Sequence, residues 1–114
     1  MNDCLFCKIV NGDIPAEKVY EDDTVLAFND INGQAPTHVL IIPKKHITTM
    51  NDLQDDDLAL SGKLMHVAAG IAKEQGFAEA GYRVVMNCNQ DGGQAVYHIH
   101  LHLLGGRPMA WPPG

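Results

Sequence analysis

Tyr97-His98-Ile99-His100-Leu101-His102-Leu103-Leu104 decides the reading of this chain. Histidine alternates with Ile99 and Leu101, a period of two that predicts a β-strand with one face buried and all three imidazoles on a single face. At a rise of about 3.3 Å per residue, His98 and His102 stand roughly 13 Å apart along the backbone, too far to meet at one atom. Three imidazoles in a row therefore point to three separate tasks. The competing readings are an exposed, histidine-rich strand and a strand lending two ligands to one metal ion.

Working outward, Asn89-Gln90-Asp91-Gly92-Gly93-Gln94 reads as a turn and Tyr82–Cys88 as a strand, so the two strands are expected to form a hairpin. Cys88 has no partner at a suggestive spacing and reads as a strand residue. Between residues 53 and 75 the period becomes helical, with Leu58, Ser61, Leu64, Met65, Ala68, Ile71 and Ala72 on one face. Asp55, Asp56 and Asp57 load the first turn with charge that suits the helix dipole, and Gly76 suits the C-cap. This acidic run reads as a helix start in preference to a metal site, and His66 as an ordinary helix residue. His38-Val39-Leu40-Ile41-Ile42-Pro43 is apolar enough to lie centrally in a sheet. Lys18–Glu21 and Thr24–Phe28 flank Asp22-Asp23 as a hairpin that lacks the usual glycine. Asp3 is placed to cap a short helix carrying Cys4, Leu5, Phe6, Cys7, Ile9 and Val10, which Gly12 and Pro15 end.

With 114 residues, 46% apolar and 19% charged, the chain reads as one globular domain over residues 1–114. A net charge of -6 excludes a general nucleic-acid or anionic-membrane surface, which needs clustered cations. A small anion could still meet Lys44, Lys45, Arg83 or Arg107. The start of the sequence shows no basic segment followed by an apolar run, and no stretch approaches the roughly 20 apolar residues of a membrane span. Three cysteines make no even disulfide framework, so a reducing cytoplasm is expected.

Cys4-x-x-Cys7 is half of a tetrahedral zinc site, with His46 and His98 as candidates for the other half. A redox pair or simple packing are the alternatives, although the βαβ context of a redox pair is missing. His100 and His102 are left for chemistry, as general base or as nucleophile. A nucleophilic imidazole must be neutral with one nitrogen bare, a state set by what the other nitrogen donates to. The Gly92-Gly93 turn could offer backbone N–H groups to an anion, or could simply turn the chain. A histidine nucleophile beside such a turn favours phosphoryl chemistry.

His98-Ile99-His100-Leu101-His102-Leu103-Leu104 resembles the signature of the histidine triad superfamily. Cys4-Leu5-Phe6-Cys7-Lys8-Ile9, Ile14-Pro15-Ala16, Ala27-Phe28-Asn29-Asp30, Ala35-Pro36-Thr37-His38, Ile42-Pro43-Lys44-Lys45-His46, Gly92-Gly93-Gln94 and Trp111-Pro112-Pro113-Gly114 extend the resemblance to its Hint branch over nearly the whole chain. The resemblance implies an α+β fold with about five antiparallel strands, one long and one short helix, and a sheet continued across a homodimer. It implies a purine nucleoside phosphoramidase that cleaves the P–N bond of adenosine or guanosine 5'-monophosphoramidates, and aminoacyl adenylates as well. By position, His100 would be the nucleophile, His102 would contact phosphoryl oxygens, and His38 would sit beside the nucleophile. Asp30 would bind ribose hydroxyls, Asn87 and Gly93 the phosphate region, and Trp111 would approach a site, that of the partner subunit. Zinc would be held by Cys4, Cys7, His46 and His98. A dinucleoside polyphosphate hydrolase and a non-catalytic nucleotide-binding scaffold are the rival readings. Ala95 departs from the branch, where many members carry a serine able to assist near the leaving group.

Overall fold

The computed structural model describes residues 3–114. Met1 and Asn2, which open the stretch read above for a leader, lie outside the described residues. In chain order the elements are α1 (Leu5–Val10), β1 (Lys18–Glu21), β2 (Val25–Asn29), β3 (Thr37–Pro43), two 3-10 turns (Met50–Asp52 and Asp55–Asp57), α2 (Leu58–Gln75), β4 (Tyr82–Val85), α3 (Asn89–Gly92) and β5 (Leu101–Gly105). The five strands form one antiparallel sheet in the order β1-β2-β3-β5-β4.

The apolar run in β3 follows from its central place, because both of its faces are covered. Val39 and Ile41 join Ala27, Leu101 and Leu103 under Leu64, Val67, Ala68, Ile71 and Ala72 of α2. Leu40 and Ile42 turn the other way, joining Leu26 and Phe28 under Phe6 and Ile9 of α1. Truncating any of these buried aliphatic side chains to alanine costs about 2–5 kcal/mol through lost transfer energy and the cavity left behind. The sheet thus has a long-helix face and a short-helix face, and β5 gives Leu101 and Leu103 to the first and His102 to the second.

Several boundaries differ from the sequence reading. Only Leu101–Gly105 of the histidine stretch is paired strand. His98, at the end of a bend, Ile99 and His100 precede it outside the ladder, anchored where Ile99 N–H donates to the Ile47 carbonyl at 2.8 Å. The two strands pair antiparallel as expected, but the first stops at Val85 instead of Cys88, and residues 86–100 with α3 connect them in place of the turn read at 89–94. Asp55–Asp57 form a separate 3-10 turn instead of the first turn of α2, with Asp57 bonded to Lys45 at 2.6 Å. Leu58 and Met65 are exposed, and Val67 takes the buried place assigned to them. α2 therefore presents its core face about an eighth of a turn from the one read in the sequence, with Leu64, Ala68, Ile71 and Ala72 common to both.

Two local substitutions of chemistry explain other differences. The cap of α1 is Cys4 and not Asp3: the Cys4 Sγ accepts the Cys7 N–H at 3.4 Å. In the β1–β2 hairpin, Asp22 Oδ1 accepts the N–H groups of both Thr24 and Val25 at 2.9 Å. This side-chain turn closes the hairpin without the glycine that a two-residue backbone turn demands.

Candidate functional site

Strand register decides which histidines meet. His38 pairs with Leu104 and Leu40 with His102, so His38 and His102 are diagonal neighbours on the short-helix face. Their rings touch, with His38 Nε2 and His102 Nδ1 2.9 Å apart. His38 thus lies against His102, where the sequence reading had placed it beside His100.

Hydrogen-bond partners assign the proton on each ring. His100 Nδ1 is 2.8 Å from the His98 carbonyl, an acceptor only, so Nδ1–H donates and Nε2 keeps a bare lone pair. His38 Nδ1 accepts the Gln34 N–H at 3.0 Å, which leaves its proton on Nε2. That Nε2–H donates to His102 Nδ1, with the Asp30 carboxylate flanking at 3.4 Å, and the proton of His102 is thereby left on Nε2. Burial is the main cause holding His38 below its ordinary value, partly offset by the Asp30 charge. His102 is lowered further, to about 4, by burial and then by His100 and His38. Both rings are neutral near pH 7, so the His38–Asp30 contact is not an ion pair.

The result is a bare imidazole nitrogen on His100 next to an N–H-bearing one on His102. Both rings line a cavity of about 620 Å³ whose walls include Leu5, Phe6, Ile9, Ile14, Phe28, Leu40, Asp30, Asn32 and Val96. Phe6 packs edge-on against His100 and His98, with centroid distances of 5.1 and 5.9 Å. The lining is mostly apolar with a few polar groups, among them Asp30, Asn32, His100 and His102, the usual build of a site for a small organic ligand. Its apolar wall was the part the sequence reading missed. Leu5, Phe6, Ile9 and Ile14 gave only a helix and a loop in one dimension, and their shared wall appears once α1 lies over β2 and β3.

Asn87 and Gly93 do not line this cavity. The Gly93 N–H donates to the Gln90 carbonyl and the Gln94 N–H to the Asn89 carbonyl, so these two groups are not offered to an anion. Gln94 has a role that the sequence reading did not give it. Its buried side chain accepts the Asn89 N–H and donates to the carbonyls of Thr48 and Val96, pinning the loop that carries Ala95. Trp111 is 80% exposed, with the Arg83 guanidinium 5.9 Å from its ring centre. Cys88 is half-buried and belongs to neither cluster of candidate ligands, and His66 is exposed on α2.

A second constellation adjoins the first through His98. Its ring is fully buried, and its Nε2–H donates to the Pro43 carbonyl at 2.7 Å, leaving Nδ1 bare. That nitrogen lies 3.4 Å from Cys4 Sγ and 3.5 Å from Cys7 Sγ, while His46 Nδ1 lies 3.3 Å from Cys7 Sγ. Around a tetrahedral zinc, with metal–sulfur bonds near 2.3 Å and metal–nitrogen bonds near 2.0 Å, adjacent sulfur and nitrogen donors stand about 3.5 Å apart. The four donor atoms fit a metal ion by number, type and spacing. Burial chiefly lowers the affinity of His98 for a proton, which favours the neutral ring a metal needs.

Asp30, His38 and His102 also lie close enough to ligate one ion, yet their protons argue against it. His38 Nδ1 is occupied by the Gln34 N–H, and the nitrogen facing the cluster carries hydrogen. A metal there would have to displace that proton and leave an imidazolate, or break the backbone bond.

Fold and site together define an α+β protein with a histidine of bare Nε2 on the wall of a cavity. The family model for the HIT domain matches residues 11–109, and the chain belongs to that family. It is 54% identical over 105 residues, 92% of this chain and 88% of the relative, to the purine nucleoside phosphoramidase of Escherichia coli strain K12. It is 53% identical, over 96% of this chain and 87% of the relative, to the 14 kDa zinc-binding protein of Zea mays. Its fold superposes with a TM-score of 0.97 on the HIT family hydrolase of Legionella pneumophila Philadelphia 1, with 61% identity and coverage of 98% and 100% of the two chains.

Proposed function

We propose that the protein is a hydrolase of purine nucleoside 5'-phosphoramidates that works through a nucleotidyl-histidine. The observation that carries this reading is the bare Nε2 of His100 on the cavity wall, held so by the His98 carbonyl. The base enters the apolar length of the cavity and Asp30 meets the ribose hydroxyls, which sets the phosphorus before His100. Nε2 attacks phosphorus, the P–N bond breaks, and the departing nitrogen takes a proton from water. The positive charge formed on His100 is eased by the Nδ1–H bond to the carbonyl. His102 Nε2–H donates to a phosphoryl oxygen and stabilises the charge that builds there. The hydroxide left by protonating the amine, or a water that passes its proton to it, then attacks phosphorus, the P–Nε2 bond breaks with its electrons returning to Nε2, and nucleoside monophosphate leaves with both rings restored. The similarity to the Escherichia coli phosphoramidase supports P–N bonds as the target.

Cys4, Cys7, His46 and His98 would hold zinc, and the closed set of four protein donors suits a structural ion. Bound there, zinc supplies a cross-link between α1, the segment after β3 and the approach to β5. Two copies would join through β4, whose outer edge has no strand partner among the described residues. Trp111 over Arg83 of β4 sits at that edge, in keeping with a tail that reaches the partner's site. No helix among the described residues is long and apolar enough to cross a membrane. A reducing cytoplasm would keep Cys4 and Cys7 as metal-ligating thiols.

The test is turnover of an adenosine 5'-phosphoramidate by the protein and by His100→Ala. Loss of about 10⁴-fold in kcat is expected, because among the described residues no other bare imidazole nitrogen lines the cavity. Full turnover by the variant would overturn the covalent route, and preferential release of AMP from a diadenosine polyphosphate would overturn the substrate class.

A further inference from the structure

His98 belongs to both constellations, through different atoms. Its ring Nδ1 faces Cys4 and Cys7, and its backbone carbonyl takes the Nδ1–H of His100. That carbonyl is the partner that chooses the His100 tautomer, and it lies in the unpaired approach to β5, not inside the ladder. Residues 98–100 are fixed instead by the Ile99–Ile47 bond, the His98–Pro43 bond and the contacts of the His98 ring. Phe6, between the two cysteines in sequence, lays its ring edge-on against both His98 and His100.

We propose that the Cys4–Cys7–His46–His98 cluster is a positioning element for the nucleophile, an ion held there fixing the His98 carbonyl and the Phe6 ring that together keep His100 in its Nδ1–H form. This rests on the phosphoramidase reading for its kinetic consequence, and on geometry alone for its tautomeric one. With the ion bound, four ligand bonds restrain the His98 ring and both cysteines of the α1 cap. With the ion removed, the ring keeps the Pro43 bond on one side and exchanges two short ligand bonds for weaker thiol contacts with Cys4 and Cys7 on the other. The carbonyl then gains freedom relative to His100, and the alternative tautomer, with hydrogen on Nε2, becomes populated. A ring in that state has no lone pair at the attacking position, so kcat falls in step with its population while substrate binding in the cavity is little changed. His98, Cys4, Cys7 and His46 are on this account positioning residues, none of them touching the reacting atoms.

The experiment uses full-length protein labelled with 15N in histidine, as zinc-loaded, chelator-treated and zinc-restored samples. Two-bond nitrogen–proton spectra report which nitrogen of His100 carries hydrogen. Expected is one Nδ1–H form when loaded, a mixture after chelation, and recovery on restoring zinc. In parallel, kcat for an adenosine phosphoramidate should fall about tenfold with KM nearly constant. Should chelated protein unfold, His46→Ala keeps three ligands, including the buried His98, and lets zinc be withdrawn under milder conditions. Lys63→Ala, which breaks a surface bond to Asp22 far from the histidines, serves as a control for stability loss alone and should leave the tautomer single. An unchanged His100 tautomer on metal loss, with only the melting temperature lowered, would overturn the proposal. If zinc-loaded protein turns over no phosphoramidate, the functional reading fails, and the tautomer spectra still decide the positioning claim.

Discussion

Two clusters in this molecule offer ligand-type side chains within a few ångströms, and they differ in where the protons are. In Cys4–Cys7–His46–His98 the buried imidazole turns a bare nitrogen toward the thiols, because Pro43 holds its other nitrogen as a donor. In Asp30–His38–His102 the backbone N–H of Gln34 fixes the opposite arrangement, and hydrogen points into the cluster. Similar spacing thus gives a donor set that fits a metal ion in one place and a proton-bearing hydrogen-bond chain in the other. Residue type and distance nominate both, and a single backbone partner on the far side of each ring separates them.

The largest effect that follows is on metal content and stability. The protein should carry about one zinc per chain, and Cys4→Ala should reduce this to near none while lowering the melting temperature by about 10 °C or more. Excess zinc should not load a second ion on either protein. A second tightly held equivalent that disappears in His102→Ala would break the comparison, since it would show that His38 gives up its proton to a metal.

A smaller effect concerns pH. His102 is held at about 4 against an ordinary 6.5, and His38 is lowered too, both chiefly by burial. Between these values the unfolded chain binds protons that the folded one refuses, so stability is complete above 6.5 and drains away as pH falls toward about 4. The melting temperature should therefore drop between about pH 7.5 and about pH 5, and His102→Asn should flatten the slope. Measured in metal-free Cys4→Ala protein, this isolates the second cluster from acid release of metal at the first. A melting temperature that is flat or rises on acidification would show that the rings are not held neutral.

Much of this was legible in sequence where one residue type has one use. The alternation around His100 gave the face, and the Cys4-x-x-Cys7 pair with His46 and His98 gave a donor set that the fold brings together. The apolar run of β3 gave its central place. What was hidden depended on register or on backbone partners. His38 meets His102 because Thr37 starts β3 opposite Gly105, an offset no local pattern carries. The helix stripe was misread at Leu58 and Met65 because Leu, Met and Val are interchangeable in a periodic pattern, and only docking on the sheet chooses among adjacent faces. Asp22 closes its hairpin by a side-chain turn that leaves no glycine to read.

The smallest effect bears on the side of the cavity that neither cluster occupies. Ala95 lines the cavity beside His100 and, with Leu5 and Val96, also borders a second, more open hollow next to Cys4 and His46. Its methyl group has nothing to donate to a departing amine, while in the proposed reaction the one N–H of His102 is spent on a phosphoryl oxygen. In Ala95→Ser a hydroxyl would be added on a loop already pinned by Gln94, so its placement costs little extra ordering. A rise of about two- to tenfold in kcat/KM for an alkylamine phosphoramidate is expected, of the size of one added neutral hydrogen bond. The gain should shrink for a leaving group that departs without a proton, because there the hydroxyl has nothing to assist. Equal kcat/KM for parent and variant across both substrates would show that proton delivery to the leaving group does not limit the reaction, and that the histidine clusters alone set its rate.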